Sequence, residues 1–229
     1  MTVTTTALTR AAGVSAVAGG LLFLAVQINH PHLDPAFATT SEFAIRQTMK
    51  IAFAVLSLAG ITGVYLRQVK QTGVLGLLGY LLLSAAFLAM TCVEVMGVVA
   101  LPVLAHSDPR YVGDVLAVAT NGTATGDLGL FTALNTGVGF GLVGGGLLFG
   151  IAVFRARVLN RWPAALLAVG VVATLAIHLL PQVNERLFAV PIGVALAGLG
   201  VALLVEQRTR TGSASAAVDG ARLDAAGVK

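Results

Sequence analysis

VLGLLGYLLLSAAFLAMTCVEVMGVVALPVL, residues 74–104, is a run of hydrocarbon with one charged side chain set into it, Glu94. A membrane-spanning helix needs about 20 predominantly apolar residues, and this run exceeds that length. It therefore reads as a span. A charge at the centre of such a helix costs about 2.5–3.5 kcal/mol on the insertion scale, and a residue that carries the cost usually faces a bundle interior and has a partner. Glu94 is thus either a functional acid or a polar clamp between helices. The rest of the chain reads as five more helices and two loops arranged around it.

The composition agrees. Of 229 residues, 57% are hydrophobic and 10% charged, with a mean hydropathy of +0.91. A soluble domain carries about 25% charged residues. The length allows about six spans and no sizeable soluble domain. Cys92 is the single cysteine, which excludes an internal disulfide and any metal site built from several thiolates. No basic block with interleaved aromatics is present, so nucleic acid is not an expected partner.

Outward from the central run, Arg67 to Thr72 forms a short basic turn. The span before it covers about 49–66, with helix already expected from Phe43. The first span covers about 11–28 and is read as a retained helix, because no small-residue cleavage site follows Val26. Loop one runs from Asn29 to about Gln47 and carries His30, His32, Asp34, Glu42 and Arg46. The third span is expected to stop at Pro102. Loop two follows, from His106 to about Asp127, longer than most connections and a candidate lid or entrance.

The fourth span, about 128–154, has glycines four apart at Gly137, Gly141 and Gly145, with Gly146 and Gly150 repeating the spacing. Small residues at this interval let helix backbones approach closely in lipid. A basic turn with Arg155, Arg157, Arg161 and the interfacial anchor Trp162 leads to spans at about 163–180 and 187–205. Residues 1–206 form one six-helix domain, and 207–229 is expected to be a disordered cytoplasmic tail.

The excess of Lys and Arg in cytoplasmic loops sets orientation. With the N-terminus inside, ten basic residues are cytoplasmic, and Arg46, Lys50, Arg110 and Arg186 are outside. Fold class is therefore an all-α integral membrane protein: a bundle of six transmembrane helices with both termini cytoplasmic, in the cell membrane. Glu94 then lies about twenty residues along a helix entering from the cytoplasm, roughly 30 Å up at about 1.5 Å per residue. His30, the Thr132–Asn135–Thr136 face, and the Thr174–His178–Gln182 face gather at the same outer end. The inner half carries little beyond Ser, Thr and Gly. This asymmetry favours a one-sided pocket over a transport pathway.

A carboxyl in an apolar pocket suits general acid catalysis, with His30 or His178 able to replenish its proton. Arg46 or Lys50 could instead pair with Glu94, making it a base or a structural ion pair. Candidate catalytic residues are Glu94, His178, His30 and Asp34. Asn135, Thr132, Gln182, Thr91, Phe87 and Phe131 are expected to bind substrate, with Phe23, Phe43 and Phe188 able to line the same pocket and stabilise carbocations. No metal or cofactor is expected. His30-Pro-His32 has no metal-specific spacing, and no phosphate loop, nucleophile elbow or paired Asp-rich motif is present.

Three features bear on family: Glu94 in Val93-Glu-Val-Met-Gly97, the loop-one acids Asp34 and Glu42, and His178-Leu-Leu-Pro-Gln182. With these, its size and its helix count, the chain resembles the small integral-membrane terpene cyclases of actinobacterial indole-sesquiterpenoid pathways, enzymes of secondary metabolism. It looks more distantly like the fungal meroterpenoid cyclases. The resemblance implies a membrane enzyme that protonates an alkene or epoxide of an isoprenoid substrate with an embedded carboxylic acid and cyclises it without a metal. Two other classes remain open from the residues: a non-enzymatic membrane subunit or small transporter, and a haem- or quinone-binding membrane protein. Expected partners are the bilayer, a hydrophobic small molecule and, through the glycine-rich fourth span, a second copy of the chain.

Overall fold

The computed structural model describes residues 2, 4–28, 31–120, 122–175 and 189–226, with side chains described as far as Arg210. The described residues form seven α-helices and one short 3-10 turn, with no strand: α1 Thr5–Gln27, the 3-10 turn Phe37–Thr39, α2 Ser41–Arg67, α3 Val69–Ser107, α4 Pro109–Ala119, α5 Leu130–Ala156, α6 Arg161–Ala173 and α7 Val190–Ala226. Five of them, α1, α2, α3, α5 and α7, are long and apolar enough to cross a membrane. The span read at 163–180 is represented by α6, and its last residues, 176–180, lie outside the described part.

The helix starts follow from side chains that accept otherwise unpaired backbone N–H groups. Thr4 accepts from Ala7, Thr40 from Phe43, and Asn160 from Trp162. Between α2 and α3 the reversal is completed at Gly73, whose φ of 58° is open to glycine at little cost. The α3 span proper therefore begins at Val74, as its hydropathy suggests.

Neighbouring helices run antiparallel, and their backbones approach closely at glycines along their length. A Cβ on Gly79 would strike the backbone nitrogen of Phe149, and one on Gly145 would lie 2.5 Å from the nitrogen of Leu83. Similar approaches join α1 to α7, where Gly20 meets the Gly193 carbonyl, and α5 to α6, where Gly150 meets Ala164 and Ala168. The close-packing reading of the glycine ladder holds at Gly141, Gly145, Gly146 and Gly150; Gly137 faces open space. Arg67 at the foot of α2 forms a two-pronged ion pair with Glu206 of α7, which Arg210 also contacts at 2.6 Å. Trp162 is 79% exposed nearby, suited to an interfacial anchor.

Three expectations change. Loop two is not a loop throughout, because half of it is α4. Asp108 caps that helix by accepting from Tyr111, Pro109 takes the first-turn position where a missing N–H costs nothing, and Val112, Val115 and Leu116 bury one face. Pro102 does not end α3, which runs to Ser107. A proline so near a helix end removes one hydrogen bond, and neighbouring groups restore it in membrane helices. The stretch read as a disordered tail continues α7 to Ala226. Ala-rich sequence without proline propagates a helix that the preceding span has already nucleated.

Candidate functional site

Beyond the Gly141–Ala86 contact, α4 lies against both α3 and α5. A cavity of about 310 Å³ opens there, at the small end of the usual range for ligand sites, about 300–1,000 Å³. Its walls come from α1, α2, α3, α4 and α5, with Leu33 and Ala189 at the margin. From α2 it takes Phe43, Gln47, Lys50 and Phe53, spaced three and four apart on one face. From α3 it takes Met90, Val93, Glu94, Gly97 and Leu101 by the same periodicity.

The apolar part of the wall is aromatic and rigid. Phe23 stacks on Phe53 at 4.7 Å between centroids, and Phe53 meets the edge of Phe87 at 5.6 Å. Val115, Leu116 and Ala119 of α4 close the cavity from the side of loop two. The polar part is compact. Lys50 Nζ lies 3.5 Å from Glu94 Oε1, with the two side chains 20% and 10% exposed. Gln47, itself buried, hydrogen-bonds the same carboxyl. Gly97 makes that possible, since a Cβ there would sit 2.5 Å from Gln47 Nε2. On the opposite wall the Asn135 amide donates to the Val118 carbonyl at 3.2 Å, joining α5 to α4.

Of the residues singled out from sequence, Glu94, Asn135 and Phe131 line this cavity, with Phe23 and Phe43. Phe87 sits behind Phe53 as packing, 2% exposed. Thr91 donates to the Phe87 carbonyl of its own helix at 2.8 Å. Thr132 is exposed. Asp34 is also exposed and accepts from Phe37 N at 2.7 Å, which caps the 3-10 turn rather than reaching the cavity. His30, His178, Gln182 and Phe188 lie outside the described residues.

Lys50 and Arg46, both candidate partners for Glu94, have separate tasks. Arg46 pairs with Glu42 at 2.9 Å and donates to the Val26 and Ile28 carbonyls, both at 3.3 Å. His106 bonds its own helix at the Pro102 carbonyl, 2.9 Å away. Sequence reasoning missed Gln47, Phe53 and Leu116. Among the described residues no three His, Cys, Asp or Glu side chains come together as a metal site.

The α4 roof is fastened by Asp114, which is 9% exposed. Its carboxylate accepts from the Thr125 and Gly126 backbone N–H groups, each at 2.9 Å, and from the Thr125 hydroxyl at 3.1 Å. The Thr125 amide first, then Gly126, the Thr125 hydroxyl and the positive charge of Arg110, hold this carboxyl below its ordinary range. A lowered folded-state pKa gives stability that is present above the unfolded value, about 3.9, and lost as pH falls through the folded one. Amide-exchange protection at Thr125 and Gly126 is therefore expected to persist from neutral pH down to below about 4 and then fall. In Asp114→Ala it should be low at every pH, and equal protection in the two proteins would disprove the latch.

Comparison with protein-family models, with curated proteins and with solved structures finds no match for the chain.

Proposed function

We propose that the protein is a six-span membrane enzyme that performs acid–base chemistry on a hydrophobic, isoprenoid-type small molecule in the cavity beside Glu94. The specific reaction we assign is protonation-initiated cyclisation, the terpene cyclase-like chemistry that the resemblance implies. The observation that carries this reading is the Lys50–Glu94 pair, set into the wall of an aromatic-lined cavity. A carboxyl and an ammonium 3.5 Å apart can exchange a proton, so one can be refilled by the other after a proton leaves for substrate. Phe23, Phe43, Phe53 and Phe131 line the cavity, and aromatic rings stabilise a developing cation. The excess of basic residues at the opposite end orients the cavity toward the outer leaflet by the positive-inside rule.

The test is extraction of lipid-soluble products from cells supplied with farnesylated and epoxidised precursors. Wild type should yield a cyclised product. Glu94→Gln should lower its formation by at least about 100-fold, in the range of one general acid, at matched levels of folded protein in the membrane. Glu94→Asp should retain part of the activity. Unchanged product in the Gln variant would reduce the pair to a clamp between α2 and α3.

A further inference from the structure

Lys50 is chemically distinct from the other cations of this chain. Eleven of the fourteen basic residues are arginine, and Lys50, Lys70 and Lys229 are the three lysines. Only an amine forms a covalent bond with a carbonyl carbon under mild conditions; a guanidinium stays protonated and does not. Lys50 lines the cavity, whereas Lys70 is exposed beside the α2–α3 turn. At 3.5 Å its contact with Glu94 is longer than the usual charge-assisted bond of about 2.7–2.9 Å. The amine is thus held near a carboxylate without being locked onto it. Met90, Phe23 and Phe53 supply apolar surface alongside. A largely buried amine beside apolar surface and a counter-ion is the arrangement that supports imine formation.

We infer that Lys50 is a covalent attachment site for hydrophobic aldehydes, with Glu94 as the proton carrier for the condensation and the counter-ion of its product. The inference rests on the reading that the cavity takes a hydrophobic small molecule, and it adds carbonyl compounds to the classes that the site binds. Glu94 first accepts a proton from the Lys50 ammonium. The freed amine attacks the carbonyl carbon, and the nitrogen's proton moves to the oxygen to give a carbinolamine. The Glu94 carboxyl returns its proton to the departing hydroxyl, and the C–O bond breaks to release water as the C=N bond forms. An ammonium–carboxylate pair and an aldehyde become an iminium–carboxylate pair and one water. Charge in the cavity is unchanged throughout, which suits a medium where net charge is costly.

The experiment uses the full-length protein in detergent micelles. It is incubated with farnesal, reduced with borohydride to fix any imine, and analysed by intact mass and peptide mapping. The expected result is a single adduct on Lys50, with Lys70 and Lys229 as internal references that label far more slowly. Farnesol, which fills the same space without a carbonyl, should suppress the labelling. Glu94→Gln should slow it by at least about 100-fold, and Lys50→Arg should remove it. Equal labelling of Lys50 and Lys70 overturns the inference. So does an unlabelled Lys50 in protein that retains farnesol by native mass spectrometry, and that outcome leaves the acid–base reading standing. Protein that retains neither compound overturns the inference and the proposed function together.

Discussion

Lys50→Met should lower the stability of the bundle by about 3–5 kcal/mol, the usual consequence of removing one partner from a buried ion pair. The substitution leaves the Glu94 carboxyl, 10% exposed, facing Gln47 without a cation. Glu94→Gln should cost less, about 1–3 kcal/mol, because an amide of the same shape keeps a hydrogen bond to Gln47 while Lys50 is left unpaired. The double variant Lys50→Met/Glu94→Gln should be more stable than Lys50→Met alone, since neither charge is then stranded. Unfolding in graded denaturant, with detergent held constant, gives all three values. Additive effects would mean that the two side chains do not interact. The same series separates folding from function: a double variant that folds well yet makes no product locates the loss in chemistry.

A second large effect is expected at the α3–α5 contact. A leucine at Gly145 would drive its Cβ to within 2.5 Å of the Leu83 nitrogen and 2.8 Å of its Cα. Backbone cannot yield as a side-chain tip can, so overpacking should cost at least about 1–3 kcal/mol and spread to both helices. Gly137→Ala provides the contrast, because nothing lies within 4 Å of that position. Removing a glycine from a helix there should be neutral or stabilise by up to about 1 kcal/mol. Thermal unfolding followed by size-exclusion in detergent reads both. Equal midpoints for the two variants would show that the helices do not meet at Gly145.

How much of this was legible in the sequence depends on which physical signal each part carries. The long spans announce themselves because lipid demands continuous hydrocarbon, and Glu94 stands out because it breaks that continuity. The Lys50 partnership was open among alternatives, although hairpin geometry favours it: Lys50 and Glu94 are each twenty-two residues from Thr72, at the α2–α3 turn. The same symmetry sets Gln47 against Gly97, yet Gln47 went unmarked because a lone glutamine on an apolar face is unremarkable without a register. Helix α4 was missed for a different reason. Its Asp108-Pro109 start and its Val112, Val115, Leu116 periodicity are present, but polar flanks on both sides made the whole stretch read as a connection. Asp34 was assigned to the site as a loop-one acid, and Thr132 by sharing a helix face with Asn135. Their side chains serve local structure or face outward, which only three-dimensional placement reveals.

The backbone-to-backbone contacts have a consequence for how this scaffold can change. Near Gly20, Gly79, Gly145 and Gly150, even one added carbon meets main chain, so those positions tolerate little variation. Around the cavity the walls are side chains on rigid helices, and α4 is tethered by a few hydrogen bonds that a loop substitution can rebuild. Exchanging Leu33 or Phe131, which are only partly buried, would reshape the cavity without disturbing the helix crossings. A library confined to those two positions should therefore return mostly folded proteins that differ in the size of molecule they admit. The bundle separates what must stay fixed from what is free to diverge.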